Sequence, residues 1–320
     1  MLDCLTDVKG IEVGHAQDYE GGTGCTVILC KNGAVAGVDV RGGAPGTRET
    51  DLLAPENLIQ EVNAIYLSGG SAFGLDGASG VMHYLESQGI GFDVGLTKVP
   101  IVPAAVIFDL NVGDFKRRPD FNMGYEACLN AVGENDSMGN IGAGTGATVG
   151  KYFGEEFSMK GGLGSASITV DGLVVGALVV VNSLGDVVDP DTGNILAGAL
   201  DETKKGFAKT IDTIKGGLIN RNTFGGNTTI GVVATNGKLT KAECGRVASM
   251  AHNGYARTIR PVHTLYDGDT IFCLSTGSIE TDVSTVGILA AEVMSKAIVR
   301  AIKSADPLYN KQSYRSIVAK

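Results

Sequence analysis

No two cysteines have the C-x-x-C spacing of a zinc or redox site, although Cys4, Cys25, Cys30, Cys128, Cys244 and Cys273 are all present. No Cys/His spacing resembles a metal site either, so no metal is expected. In a chain of 320 residues, cysteines scattered this way read as reduced core thiols, and a cytoplasmic protein is expected. A basic footprint is also missing. The formal net charge is −9 and the pI near 5.0, which excludes the electrostatic signature of a nucleic-acid binder. The one dense basic run, Lys116-Arg117-Arg118, is too short for more than a solvated loop. The longest apolar run, residues 173–181, falls short of the ~20 residues of a membrane-spanning helix. Met1-Leu2-Asp3-Cys4 leads into a charged segment, not the apolar stretch of a signal peptide. Neither nucleic acid nor membrane is therefore expected as a partner. Proline is scarce at 8 residues, whereas glycine is abundant at 47 without the strict period of collagen. Its clusters mark tight turns and strand ends.

What is present is ample apolar material, 43% of the chain, enough for one large domain or two ordinary ones. Three turn signals organise it. Asn32-Gly33 lies between Cys25-Thr-Val-Ile-Leu-Cys30 and Ala34-Val-Ala-Gly-Val-Asp-Val40, which predicts a hairpin. Asp171-Gly172 lies between Ser165-Ala-Ser-Ile-Thr-Val170 and the apolar run 173–181, which predicts a second. Both dipeptides supply the positive φ angles of a type I′ turn. Thr228-Thr-Ile-Gly-Val-Val-Ala-Thr235 predicts a further strand, ending at Asn236-Gly237. Several of these strands are continuously apolar, so both of their faces are expected to be covered.

Helices are predicted over residues 71–88, with Ser71 as cap and Gly89 as terminator, over 241–258, and over 283–303. Thr240 and Glu243 form a capping box for the second. Residues 184–227, rich in Gly, Asp and Lys, read as a loop region. Hairpins interleaved with helices predict an α+β or layered αββα protein, not a regular βαβ array.

Few motifs carry chemistry unaided. Gly142-Ala-Gly-Thr-Gly-Ala-Thr-Val-Gly-Lys151 fails as a phosphate loop, because Thr145 takes the first glycine position and Tyr152 follows the lysine. It reads as a loop along which another backbone passes closely, or as a binding loop for a neutral substrate. Ser68-Gly-Gly-Ser-Ala-Phe-Gly-Leu75 joins a strand to a helix; its N–H groups could hold an anion, though a tight turn explains it as well. His15, His83, His252 and His263 have no partners in sequence that make a triad, and structural use is expected. Asp267-Gly-Asp269 precedes the apolar strand Thr270-Ile-Phe-Cys-Leu274 and could aim two carboxylates at one site. It lacks the further oxygen ligands of a calcium loop. In Phe224-Gly-Gly-Asn-Thr-Thr-Ile230 a glycine pair precedes an Asn-Thr step at the head of a strand.

Taken together, these stretches resemble the family of DmpA-type aminopeptidases, β-peptidyl aminopeptidases and nylon-oligomer hydrolases. The similarity runs, in order, through Gly10-Ile-Glu-Val-Gly-His15, Arg41-Gly-Gly-Ala-Pro-Gly-Thr-Arg48, Leu67-Ser-Gly-Gly-Ser-Ala-Phe-Gly-Leu75, Val99-Pro-Ile-Val-Pro103 and Gly142-Ala-Gly-Thr-Gly-Ala147. It continues in Asn227-Thr-Thr-Ile-Gly-Val-Val-Ala-Thr235, Ala256-Arg257 and Asp267-Gly-Asp-Thr-Ile-Phe272, and so covers nearly the whole chain.

The resemblance implies a four-layer αββα sandwich formed by one domain, residues 1–320, cleaved at Asn227–Thr228 into an α chain 1–227 and a β chain 228–320. It implies that Thr228 is the nucleophile and Asn182 the oxyanion-hole asparagine. Lys151 is implied to sit near the nucleophile, with Asp267 and Asp269 orienting it and its amine. Gly70, Ser71, Gly144 and Phe108 are expected to contact substrate. No cofactor is expected. Symmetric homo-oligomers are, with helix 283–303 able to supply contacts. The aminopeptidase branch has an acidic residue soon after the Val-Pro segment; here Ala104 and Ala105 stand there and Asp109 follows later. That departure leaves room for an amidase or endo-acting hydrolase. The expected activity is therefore hydrolysis of short peptides or related amides. The competing readings are an acyltransferase of the ornithine acetyltransferase type and a non-enzymatic binding protein on the same fold.

Overall fold

A computed structural model of the protein describes residues 1–217 and 226–318. Nine strands form one hydrogen-bonded sheet in the order β6–β7–β8–β9–β2–β4–β5–β3, with β1 paired to β2 beside this path. They are β1 (Glu12–Asp18), β2 (Thr23–Val40), β3 (Thr47–Arg48), β4 (Glu61–Ser68), β5 (Ala104–Val106), β6 (Gly162–Val170), β7 (Leu173–Asn182), β8 (Thr228–Gly237) and β9 (Thr270–Ile279). The main helices are α1 (Gly77–Ser87), α2 (Phe121–Leu129), α3 (Lys241–Thr258) and α4 (Val283–Ser304).

Side-chain alternation along the strands makes layers of this sheet. In β7, Val175, Ala177, Val179 and Val181 pack with α3 and α4, while Leu178 and Val180 point the other way. Ile230, Val232, Phe272 and Leu274 share that second core with Ile28, Ile65 and Leu67 of β2 and β4. On the far side of β2 and β4, Val27, Leu29 and Tyr66 meet α1 and α2 through Val81, Leu85 and Cys128. The order helices, strands, strands, helices is the αββα arrangement. Strands covered on both faces need apolar residues at every position, which is why their sequences are continuous rather than alternating.

The local signals hold in most places. Asp171 (φ 47°) and Gly172 (φ 86°) form the turn between β6 and β7. Thr240 and Glu243 cap α3 reciprocally. Asp282 caps α4 by accepting from Thr285 N–H. All six cysteines are free and buried. No helix among the described residues is long and apolar enough to cross a membrane.

Three expectations are corrected. The Asn32-Gly33 hairpin does not form: β2 runs unbroken through it, and the register against β4 shifts between Leu29 and Ala34. Gly33, at φ +82°, absorbs a bulge because both halves of β2 find the same partner strand. The first true hairpin is β1–β2. Residues 71–88 begin as a 3-10 helix, Ser71–Asp76, entered from Gly70 in the left-handed region, so Ser71 is not the cap. Residues 184–227 are not all loop. Asp186–Val188 pairs with Ile195–Ala197 and with Ile259–Arg260, and Thr210–Gly216 is helical. Residues 218–225 of that stretch, including Phe224 and Gly225, lie outside the described residues. The apolar face of helix α4 packs in the chain's own core.

Candidate active site

Strand directions assemble the site. β8 runs parallel to β9 and antiparallel to β7, so the starts of β8 and β9 lie beside the end of β7. Thr228 opens β8 opposite Asn182, which closes β7. The Asp267-Gly268-Asp269 turn leads into β9 alongside. The sheet thus gathers residues 182, 228 and 267–269, which lie far apart in sequence. Thr228, Asn182, Asp267 and Asp269 are each no more than 5% exposed.

The Thr228 hydroxyl donates to Asn227 O at 2.5 Å, so Oγ1 lies against the carbonyl that precedes its own residue. Asn227 N–H donates to Tyr266 O (3.3 Å), and Asn227 O accepts from Gly268 N–H (2.9 Å). Lys151 is buried and its Nζ donates to Asn182 O (3.1 Å), Asn182 Oδ1 (2.9 Å) and Gly226 O (3.3 Å). Three acceptors match the three N–H bonds of an ammonium. Burial nonetheless pushes this lysine down to about 8, against the pull of Glu155, Asp267 and Asp109. Asn182 Oδ1 also accepts from Thr148 N–H (2.9 Å), and its Nδ2 donates to Phe108 O (3.0 Å).

The two aspartates are used differently. Asp269 Oδ1 accepts from Thr229 N–H at 2.8 Å, and its Oδ2 accepts from His263 N–H (3.1 Å) and His263 Nδ1 (2.8 Å). Asp267 Oδ2 accepts from Thr264 N–H (2.8 Å) and Thr264 Oγ1 (2.6 Å). Burial, followed by the neighbouring Asp269, raises the Asp267 carboxyl. Behind His263 stand the rings of His252 and Tyr255. His252 Nε2 donates to Asp39 O at 3.0 Å, and burial lowers its pKa to about 4, so it is neutral.

The substrate-contact expectations divide. Phe108 abuts the site through its carbonyl, bound to Asn182, and through its side chain, which occupies the space a Cβ on Gly226 would need. Gly70 lies behind it and donates its N–H to Asp109 Oδ1 at 2.7 Å, while Ser71 N–H donates to Ile107 O. Gly144 is packed instead against the backbone of Leu163 and Gly139, with no room beside it for a ligand. At Gly144 another backbone does pass closely, while Lys151, at the end of the same loop, reaches the site.

Several contributors escaped the sequence reading. The Arg41-Gly-Gly-Ala stretch clasps the acidic turn: Arg41 N–H donates to Asp269 O and Ala44 N–H to Asp267 O, both at 2.9 Å. Asp109 is buried and accepts from Thr23 Oγ1 and Gly70 N–H, both at 2.7 Å. Burial pushes its carboxyl up to about 6. Lys160, buried and lowered to about 7 chiefly by burial, donates to Thr145 O (2.9 Å) and Ala147 O (2.7 Å). The pairing of His263 with Asp269 was signalled only by their proximity in sequence. Among the described residues no group of His, Cys, Asp and Glu could hold a metal ion.

Helices outside and two strand layers inside are the layer order of the Ntn-hydrolase fold. The L-aminopeptidase/D-Ala-esterase/amidase of Ochrobactrum anthropi, described as a variant of that fold, superposes with a TM-score of 0.74 at 18% identity, covering 99% of this chain and 93% of its own. The chain belongs to peptidase family S58, whose family model matches residues 3–315. An uncharacterized aminopeptidase of Mycobacterium leprae is 43% identical over 98% of this chain and 93% of the relative. A 6-aminohexanoate-oligomer endohydrolase of Kocuria sp. is 30% identical over 93% of this chain and 85% of the relative.

Proposed function

We propose that the protein is a self-processing amide hydrolase in which Thr228, freed from Asn227 by cleavage of its own chain, attacks short peptides or related amides. The observation that carries this reading is the seat of the Thr228 hydroxyl, 2.5 Å from Asn227 O, between Asn182, Lys151 and the acidic turn. A threonine hydroxyl is a weak nucleophile that needs an adjacent base. Once the peptide bond to Asn227 is gone, the α-amine of Thr228 is that base, with an ordinary pKa of ~7.7–8.0. Asp269 anchors the next amide and thereby the turn of the backbone that aims the amine. Asn182 donates an N–H to the tetrahedral oxyanion.

The peptidase family favours hydrolysis over acyl transfer. Asp109 is buried, with Thr23 and Gly70 on its two oxygens, which takes it away from a substrate's free amino group, so we assign the enzyme to amides without requiring a free amino terminus. Relatives named for endohydrolysis of 6-aminohexanoate oligomers, 30% identical, support this choice, whereas the relative that is 43% identical is named an aminopeptidase and favours a free amino terminus. The test compares hydrolysis of a short oligoamide with that of its N-acetylated form by the purified, mass-verified enzyme. Comparable kcat/KM supports the reading. Strict dependence on the free amine, or activity only with an added acyl acceptor, overturns it.

The pH dependence follows from Lys151. Below about 8 this lysine is an ammonium. A cation near Thr228 disfavours the charged α-amine and lowers its pKa, so the base is available nearer neutrality. Above about 8 the lysine loses its charge, but the α-amine is by then uncharged without its help. The wild-type kcat/KM profile should therefore rise on an acid limb to a plateau. In Lys151→Met that limb should move to higher pH by about one unit, as read from kcat/KM between pH 5 and 10.

A further inference from the structure

The proposed self-cleavage needs its own oxyanion donor, because the carbonyl attacked in the precursor belongs to Asn227 and not to a substrate. Resting on the self-processing reading above, the geometry points to the backbone N–H of Gly268 as that donor. It donates to Asn227 O at 2.9 Å, so a hydrogen bond to the atom that takes up the charge is already in place before attack. The Asn182 side-chain amide gives one N–H to Phe108 O and keeps the other for the oxyanion of turnover. Gly268 thus serves the processing step and Asn182 the turnover step.

Gly268 is held for this task from both sides. Ala44 N–H binds Asp267 O, Arg41 N–H binds Asp269 O, and Asp269 Oδ1 binds Thr229 N–H. Asn227 is held to the same turn, through its N–H to Tyr266 O and a parallel bridge to Asp267. The donor therefore needs no reorganisation when charge develops. A side chain at 268 is excluded: a Cβ there would lie 2.7 Å from Thr228 Oγ1, 2.8 Å from Ala44 O and 3.2 Å from Pro45 Cα. Glycine keeps both the N–H and the space in which the hydroxyl turns onto the carbonyl carbon.

The chemistry balances with water as the only co-reactant. Thr228 Oγ1 bonds to the Asn227 carbonyl carbon, and the carbonyl oxygen takes up the negative charge facing Gly268 N–H. The C–N bond then breaks, the hydroxyl proton ends on the departing nitrogen, and an ester joins Asn227 to the Thr228 oxygen. Water hydrolyses that ester to the Asn227 carboxylate, the Thr228 hydroxyl and a free α-amine.

The test removes one hydrogen. Glycolic acid placed at position 268 of the full chain by nonsense suppression replaces the N–H with an ester oxygen and adds no side chain. Processing is followed by intact mass against wild type, with folding monitored by circular dichroism. A folded chain that self-cleaves at least ~10²-fold more slowly than wild type is the expected result. Cleavage at the wild-type rate would overturn the assignment. Should the ester chain not fold, the Thr228→Ala precursor supplies a second measurement: a scalar coupling across the hydrogen bond between the Gly268 nitrogen and the Asn227 carbonyl carbon is expected, and its absence refutes the donor. Failure of wild type to self-cleave would instead sink the self-processing reading itself.

Discussion

Thr228→Ala is expected to remain a single chain of 33.0 kDa, whereas wild type is expected to yield fragments beginning at Met1 and Thr228. The substitution removes the one oxygen placed against Asn227 O, so neither the internal acyl shift nor attack on substrate has a nucleophile. Turnover should fall by about 10⁴-fold or more, the scale seen when a nucleophile is deleted and only binding and electrostatics remain. The fold should survive. The Thr229 N–H to Asp269 bond and the pairing of β8 with β7 and β9 do not involve the hydroxyl. Thr228→Ser, which keeps a hydroxyl on the same carbon, should still process. Intact mass spectrometry of both variants decides the matter. Two fragments from the alanine variant would remove Thr228 from the mechanism.

Asn182→Ala is the second large effect. The side chain has one acceptor and two N–H groups. Its oxygen takes Thr148 N–H and Lys151 Nζ, and one N–H goes to Phe108 O, which locks the amide plane at the end of β7. The remaining N–H is available for an oxyanion formed at Thr228, the residue directly across the ladder. Loss of one such donor costs ~10²–10³-fold in kcat. KM should change little, because the contact strengthens only as charge develops. The variant also leaves buried Lys151 Nζ with one acceptor fewer, at a cost of about 1–3 kcal/mol in stability, so kcat must be read below its lowered melting temperature. An unchanged kcat at full folding would dismiss Asn182 as the donor.

Much of the fold could be read from local pattern because the physics there is local. Asp171-Gly172 needs only its own φ angles to turn β6 into β7, and the Thr240–Glu243 box closes within one turn of helix. Asn32-Gly33 carries the same signal and gives a bulge. What decides between the two outcomes is β4, a strand about thirty residues downstream that pairs with both halves of β2. The secondary structure within residues 184–227 escaped notice for a related reason: its strands are three residues each, and one of them, Asp186–Val188, is held by Ile259–Arg260, from another part of the chain.

At the site the division is the same. The joint occurrence, in order, of stretches from Gly10–His15 to Asp267–Phe272 pointed to the family, and the roles expected of Lys151, Asn182, Thr228, Asp267 and Asp269 followed only from that resemblance, because the order of letters along a chain is a one-dimensional fact. Strand direction alone then decided that β8 and β9 start where β7 ends, and so which of those atoms meet. It also decided that Asp269 reaches Thr229 and His263, that Asp109 is already occupied, and that Gly268 faces Asn227 O. Hydrogen bonds act over about 3 Å, and separation along a chain carries no information at that scale until the sheet has formed.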